Sequence, residues 1–124
     1  MAYTQIMYHL VFRTKYSRKV LNLENSEHLY RYIWGVINNK NCHLYQINGM
    51  EDHIHILTSL HQSIALADFI KDVKISSSKW MKTTDLFPEF TNWSVKYAAL
   101  TYSYKEKNII KSLIIYQMYI FADE

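Results

Sequence analysis

The hydrophobic period of this chain alternates between two residues and 3.6 residues, and the order of that alternation constrains the fold more than any other feature. Residues 3 to 13, Tyr-Thr-Gln-Ile-Met-Tyr-His-Leu-Val-Phe-Arg, are rich in β-formers and read as a strand. Residues 14 to 23 form a basic connection. Over residues 25 to 40, Leu29, Ile33, Val36 and Ile37 recur at helical spacing, with Asn25 or Ser26 as a cap and Asn38-Asn39-Lys40-Asn41 as a stop. Cys42 to Asn48 and His53 to Leu60 read as two strands joined by the short turn Gly49 to Asp52, a hairpin. Residues 64 to 82 carry the clearest helical stripe: Leu66, Phe69, Ile70, Val73, Ser77, Trp80 and Met81. Phe87-Pro88-Glu89-Phe90 interrupts the pattern, and residues 94 to 102 suit a fourth strand. Ser103-x-x-Glu106 has the form of a capping box that opens a last helix.

The order is βαββαβ followed by a helix. An α+β fold follows, with a four-stranded antiparallel sheet and two helices on one face, the ferredoxin-like or RRM-like layout. The expected organisation is a single domain over residues 1–124, with the βαββαβ core in 1–102 and a C-terminal helix in 103–121. That helix is surplus to the core, so it must cover the open sheet face, an edge or another subunit. With 124 residues and 49% apolar content, the chain is long enough for one real core. Two glycines and one proline leave no flexible linker. The lone Cys42 excludes an internal disulfide and fits a reducing compartment. Neither a signal peptide nor an apolar run of membrane-spanning length is apparent, so a cytoplasmic protein without membrane contact is expected.

Within the hairpin stands His53-Ile54-His55. Strand residues two apart share a face, so the two imidazoles project side by side while Ile54 and Ile56 enter the core. Two histidines on one face can grip a divalent metal and leave coordination positions open. On pattern alone a His-x-His is more often two ordinary strand histidines. Asp52 either orients His53 through a hydrogen bond or caps the turn. His9, in mid-strand, either faces the open sheet near the pair or is simply packed; His28, His43 and His61 read as surface positions.

Charge adds a second signal. The net charge is a mild +3, but residues 1 to 23 hold Arg13, Lys15, Arg18 and Lys19 and no acid. Lys71, Lys74, Lys79 and Lys82 fall together later. Basic clusters are often only solvated faces, yet they are also the footprint that phosphate binding requires. The 11 tyrosines fit base stacking or amphipathic strand surface equally.

Four blocks together resemble a known family. They are Tyr8-His-Leu-Val-Phe-Arg-Thr-Lys-Tyr-Ser-Arg-Lys-Val-Leu21, Asn48-Gly49-Met50-x-Asp52-His53-Ile54-His55-Ile56-Leu57, Phe69-Ile70-Lys71-x-Val73-Lys74-x-Ser76-Ser77, and Trp93 with Lys96-Tyr97-Ala98-Ala99-Leu100-Thr101. They are similar to the small tyrosine transposases of single-strand insertion sequences, in the HUH superfamily with the REP-associated tyrosine transposases. The resemblance implies that His53 and His55 hold Mg2+ or Mn2+, with Gln117 as a third ligand. It implies a tyrosine nucleophile on the last helix, single-stranded hairpin DNA as partner and a homodimer. Arg13, Lys15, Arg18, Lys19, Lys71 and Lys74 are the candidate DNA-binding residues.

The chain departs from that family at one place. Aligned without gaps from Lys105-Glu106-Lys107, the tyrosine position of the family holds Leu113, which cannot be a nucleophile, while Gln117 is retained. Tyr116 is the candidate replacement. On a helix it sits ~60° around from Leu113 and nearly one turn along, a displacement of several ångströms for its hydroxyl. Its other reading is an aromatic that packs at a core or dimer surface. Three functions are therefore weighed: an active transposase, a cleavage-impaired single-stranded DNA-binding relative, and an unrelated RRM-type RNA binder. The last lacks the expected RNP signature.

Overall fold

The computed structural model describes residues 6–106 and 108. Four strands, β1 (Ile6–Thr14), β2 (Leu44–Gly49), β3 (His53–Thr58) and β4 (Trp93–Ser103), and two helices, α1 (Ser26–Asn39) and α2 (Leu66–Thr83), follow one another as βαββαβ. The strands form one antiparallel sheet in the order β2-β3-β1-β4. This is the expected α+β layout. The proposed C-terminal helix begins in sequence at Ser103, which is here the last residue of β4; Tyr104–Glu106 form a 3-10 turn. The rest of that helix, with Leu113, Tyr116 and Gln117, lies outside the described residues.

The two faces of the sheet divide by parity. Leu10 and Phe12 of β1 and Ile54 and Ile56 of β3 are fully buried in the main core. They meet Leu29, Ile33 and Ile37 of α1 and Phe69, Ile70, Val73 and Met81 of α2, the stripes read from the sequence. Burying each such side chain contributes about 1.5–3 kcal/mol. The alternate residues Met7, His9, Val11 and Arg13, and His53, His55 and Leu57, take the opposite face. There Met7 and Leu57 form a smaller cluster with Tyr45 and Tyr102.

Polar clips join the layers. Trp93 Nε1 donates to Ser77 Oγ at 2.9 Å, and Ser77 Oγ donates to the Val73 carbonyl at 2.7 Å, so α2 and β4 are tied inside the core. Lys40 Nζ meets Asp72 at 2.7 Å between α1 and α2. The start of α1 differs in detail from the sequence reading. Asn25 is the cap position, yet its side chain makes no cap bond; the Asn22 side chain accepts from the Asn25 N–H instead.

Candidate metal centre on the open sheet face

The hairpin that carries the histidine pair needs a glycine at one point. A Cβ on Gly49 would stand 2.4 Å from the His53 carbonyl oxygen and 2.9 Å from Ile54 Cα. Gly49 pairs with Ile54 in register, and the Met50 N–H donates to His53 O at 2.9 Å, closing a turn of Met50, Glu51 and Asp52. The basic connection then locks that turn. Thr14 N–H donates to Asp52 O at 3.0 Å and Leu21 N–H to Glu51 O at 2.9 Å. The first and second sequence blocks therefore meet at the base of the site.

His53 and His55 point to the same face, and both are buried. Their rings lie 5.0 Å apart between centroids and nearly perpendicular, at 82°. Two imidazoles sharing one ion through N–metal bonds of ~2.1 Å have centroids about 4.6–5.3 Å apart, so the pair has the spacing of co-ligands. Asp52 Oδ1 lies 2.6 Å from His53 Nδ1, so the carboxylate is hydrogen-bonded to this imidazole in addition to belonging to the turn. Tied through Nδ1, the His53 ring presents Nε2 on its other side.

His9 is the residue whose place the sequence left open. It pairs diagonally with His55 across β1 and β3, and its Nε2 lies 2.9 Å from His55 Nδ1, with the rings stacked at 28°. His55 Nε2 is buried and has no hydrogen-bond partner among the described residues. Burial lowers the pKa of His9. Burial, followed by the charges of His53, His9 and Arg13, lowers that of His55 to about 3. Neutral imidazole is the form that binds metal. No group of three His, Cys, Asp or Glu among the described residues is arranged to hold a metal. A metal held by the pair would need a further ligand of another kind or from elsewhere, and Gln117 falls outside the described residues.

The basic candidates separate into two places. Arg13 pairs in register with His53, and Lys15, Arg18 and Lys19 follow on the exposed turn beyond β1. That turn holds Tyr16 at φ 60° and Ser17 at φ 54°, in the left-handed region, with Lys15 Nζ 5.3 Å and Arg18 Cζ 5.7 Å from the Tyr16 ring centroid. A cavity of 610 Å³ lined by Arg13, Tyr16 and Lys96 adjoins it. Lys71 and Lys74 instead line a 540 Å³ groove between α2 and β4. Lys71 is exposed there, whereas Lys74 Nζ donates to Ser94 O at 2.8 Å and to Lys96 O at 3.4 Å and sits over Phe12 and Tyr97. His28, His43 and His61 are exposed, as read from the sequence.

The model of the IS200-like transposase family matches residues 2–117, nearly the whole chain. The chain belongs to the IS200-like transposases. The ISDra2 transposase TnpA of Deinococcus radiodurans is 26% identical over 117 residues, covering 89% of this chain and 82% of that protein. A crystal structure of a Deinococcus radiodurans R1 protein described as a transposase superposes with a TM-score of 0.73 at 25% identity, over 94% of this chain and 95% of the other. A REP-associated tyrosine transposase bound to a REP hairpin shares the fold, with a TM-score of 0.60 at 10% identity over 81% of this chain and 58% of its own. Family membership places the protein in transposition and DNA recombination.

Proposed function

We propose that this IS200-like transposase binds single-stranded hairpin DNA and cleaves and rejoins it through a tyrosine nucleophile beside a divalent ion. The observation that carries the proposal is the pair of buried imidazoles 5.0 Å apart, each tied through Nδ1 to its own partner. His53 and His55 would hold Mg2+ or Mn2+, with Gln117 as a third ligand by the family resemblance. An ion held there supplies Lewis-acid polarisation of the scissile phosphate. The tyrosine oxygen forms a bond to phosphorus, and the 3′ oxygen leaves as a hydroxyl. The 5′-phosphotyrosine keeps the phosphoester for rejoining. Arg13, in register with His53, and the exposed Lys15, Arg18 and Lys19 supply positive charge beside the pair. A homodimer is part of this reading. β4 forms a sheet edge on which Val95 is 92% exposed and Leu100 54%, an apolar edge that a second copy would cover.

A second reading rests on Leu113 at the expected nucleophile position. The protein then binds the same DNA without cleaving it, and Tyr116 packs instead of reacting. One experiment separates the two. The full chain is incubated with single-stranded hairpin DNA and Mn2+, and a denaturing gel is read for a covalent adduct. An adduct lost in Tyr116→Phe and in His53→Ala establishes the transposase with Tyr116 as nucleophile. Salt-sensitive hairpin binding that survives His53→Ala, with no adduct in any variant, establishes the binding relative. Absence of hairpin binding by the unaltered protein rejects both.

A further inference from the structure

The two histidines of the pair are held alike. Asp52 Oδ1 meets His53 Nδ1 at 2.6 Å, and His9 Nε2 meets His55 Nδ1 at 2.9 Å. One hydrogen occupies the His9–His55 contact, and it sits on one of two nitrogens. If His9 Nε2 carries it, His55 must be the Nε2–H tautomer, and its Nε2 has no lone pair for a cation. If His55 Nδ1 carries it, His9 Nε2 is the acceptor and His55 Nε2 is a donor atom for a cation.

We propose that His9 is a positioning residue that holds His55 in the Nδ1–H form, so that both members of the pair offer Nε2 to one divalent cation. The proposal rests on the metal reading given above. Three features of the structure support it. First, His55 Nε2 is buried without a hydrogen-bond partner among the described residues, an arrangement that is unfavourable unless something else takes up that atom. Second, the arrangement repeats that of Asp52 and His53, where the carboxylate can only accept and so fixes His53 as Nδ1–H. Third, the contact uses the His9 Nε2 atom itself, which removes that nitrogen as a third ligand and leaves His9 the role of orienting a ligand. His9 reaches this place because β1 lies beside β3 with His9 opposite Leu57, diagonal to His55. Stacking at 5.2 Å between centroids further restricts rotation of the His55 ring.

The test uses the full chain, labelled with 15N and held metal-free with chelator near neutral pH. Long-range proton–nitrogen correlation spectra report which ring nitrogen of each histidine carries the hydrogen. The expected result is Nδ1–H for His55 in the unaltered protein. In His9→Phe, which keeps an aromatic ring but no acceptor, His55 should lose that single tautomer, and Mn2+ affinity read by electron paramagnetic resonance should fall about 10–100-fold. His9→Gln, whose amide oxygen can accept, should restore much of both. Nε2–H at His55 in the unaltered protein overturns the proposal, and so does an unchanged tautomer and Mn2+ affinity in a folded His9→Phe. Should His9→Phe fail to fold, the tautomer of the unaltered protein and the His9→Gln spectra decide by themselves. Unaltered protein that shows His55 as Nδ1–H yet binds no Mn2+ overturns the metal reading while supporting the tautomer assignment.

Discussion

At the scale of single residues, the site depends on which nitrogen each imidazole presents. A strand supplies direction for His53 and His55, but a ring can still rotate about its side-chain bonds. Asp52 removes that freedom for His53 through a 2.6 Å bond. Asp52→Ala deletes the acceptor while leaving the backbone carbonyl that binds Thr14 in place. Mn2+ affinity should then drop about 10–100-fold with little change in Tm. Titration of Mn2+ against the variant checks this, and an affinity equal to that of the unaltered protein would remove Asp52 from the site. The orienting bond of Asp52 was one of two readings that the sequence offered equally. It takes a three-dimensional distance to choose, because a residue adjacent in sequence can point either into the turn or back along the strand.

At the scale of elements, the β2–β3 hairpin carries the site and Gly49 makes the hairpin possible. Gly49 is not at positive φ; what requires glycine is the approach of the His53 carbonyl and Ile54 Cα to the space a Cβ would fill. Both obstacles are backbone and cannot swing aside. Gly49→Ala should therefore destabilise the protein by roughly 1–3 kcal/mol, with the hairpin displaced and Mn2+ affinity reduced. Thermal unfolding measures the first effect; an unshifted Tm would show that the turn relaxes freely. The elements themselves were largely legible: β1, α1, α2 and β4 start and end within a few residues of the positions read from periodicity. Cys42, expected to open a strand, lies just before β2, buried and accepting the His61 N–H at 3.2 Å. Lys74 was less legible. Its spacing on α2 matches that of a solvated cation, yet it reaches across to the carbonyls of Ser94 and Lys96. Periodicity assigns a residue to a flank, whereas the reach of a long side chain depends on which strand lies beside it.

At the scale of the whole molecule, burying imidazoles beneath one sheet face couples stability to pH. His55 titrates at about 3 in the folded chain, and His9 is also lowered by burial; an unfolded histidine titrates near 6.5. Below 6.5 the unfolded chain thus binds protons that the folded chain refuses. The contribution of these groups is complete above that pH and declines as the pH falls below it; for His55 the decline runs from 6.5 toward 3, by up to ~1.4 kcal/mol per pH unit. Metal-free protein should unfold at progressively lower temperature between pH 7 and pH 5, and His55→Gln should flatten that decline. Calorimetry over this interval provides the check, and identical slopes in the two proteins would contradict it.

The sequence by itself determined the βαββαβ order and the sharing of one face by His53 and His55, because both follow from local period and spacing, and it pointed to the family through four blocks of residues that resemble it. Tertiary structure alone decided that His9 meets His55, that Thr14 and Leu21 lock the hairpin turn, and that Lys74 binds backbone rather than solvent. Each of these joins segments far apart along the chain, separated by 20 to 46 positions. Such contacts depend on the register and order of the sheet, which no run of neighbouring residues encodes.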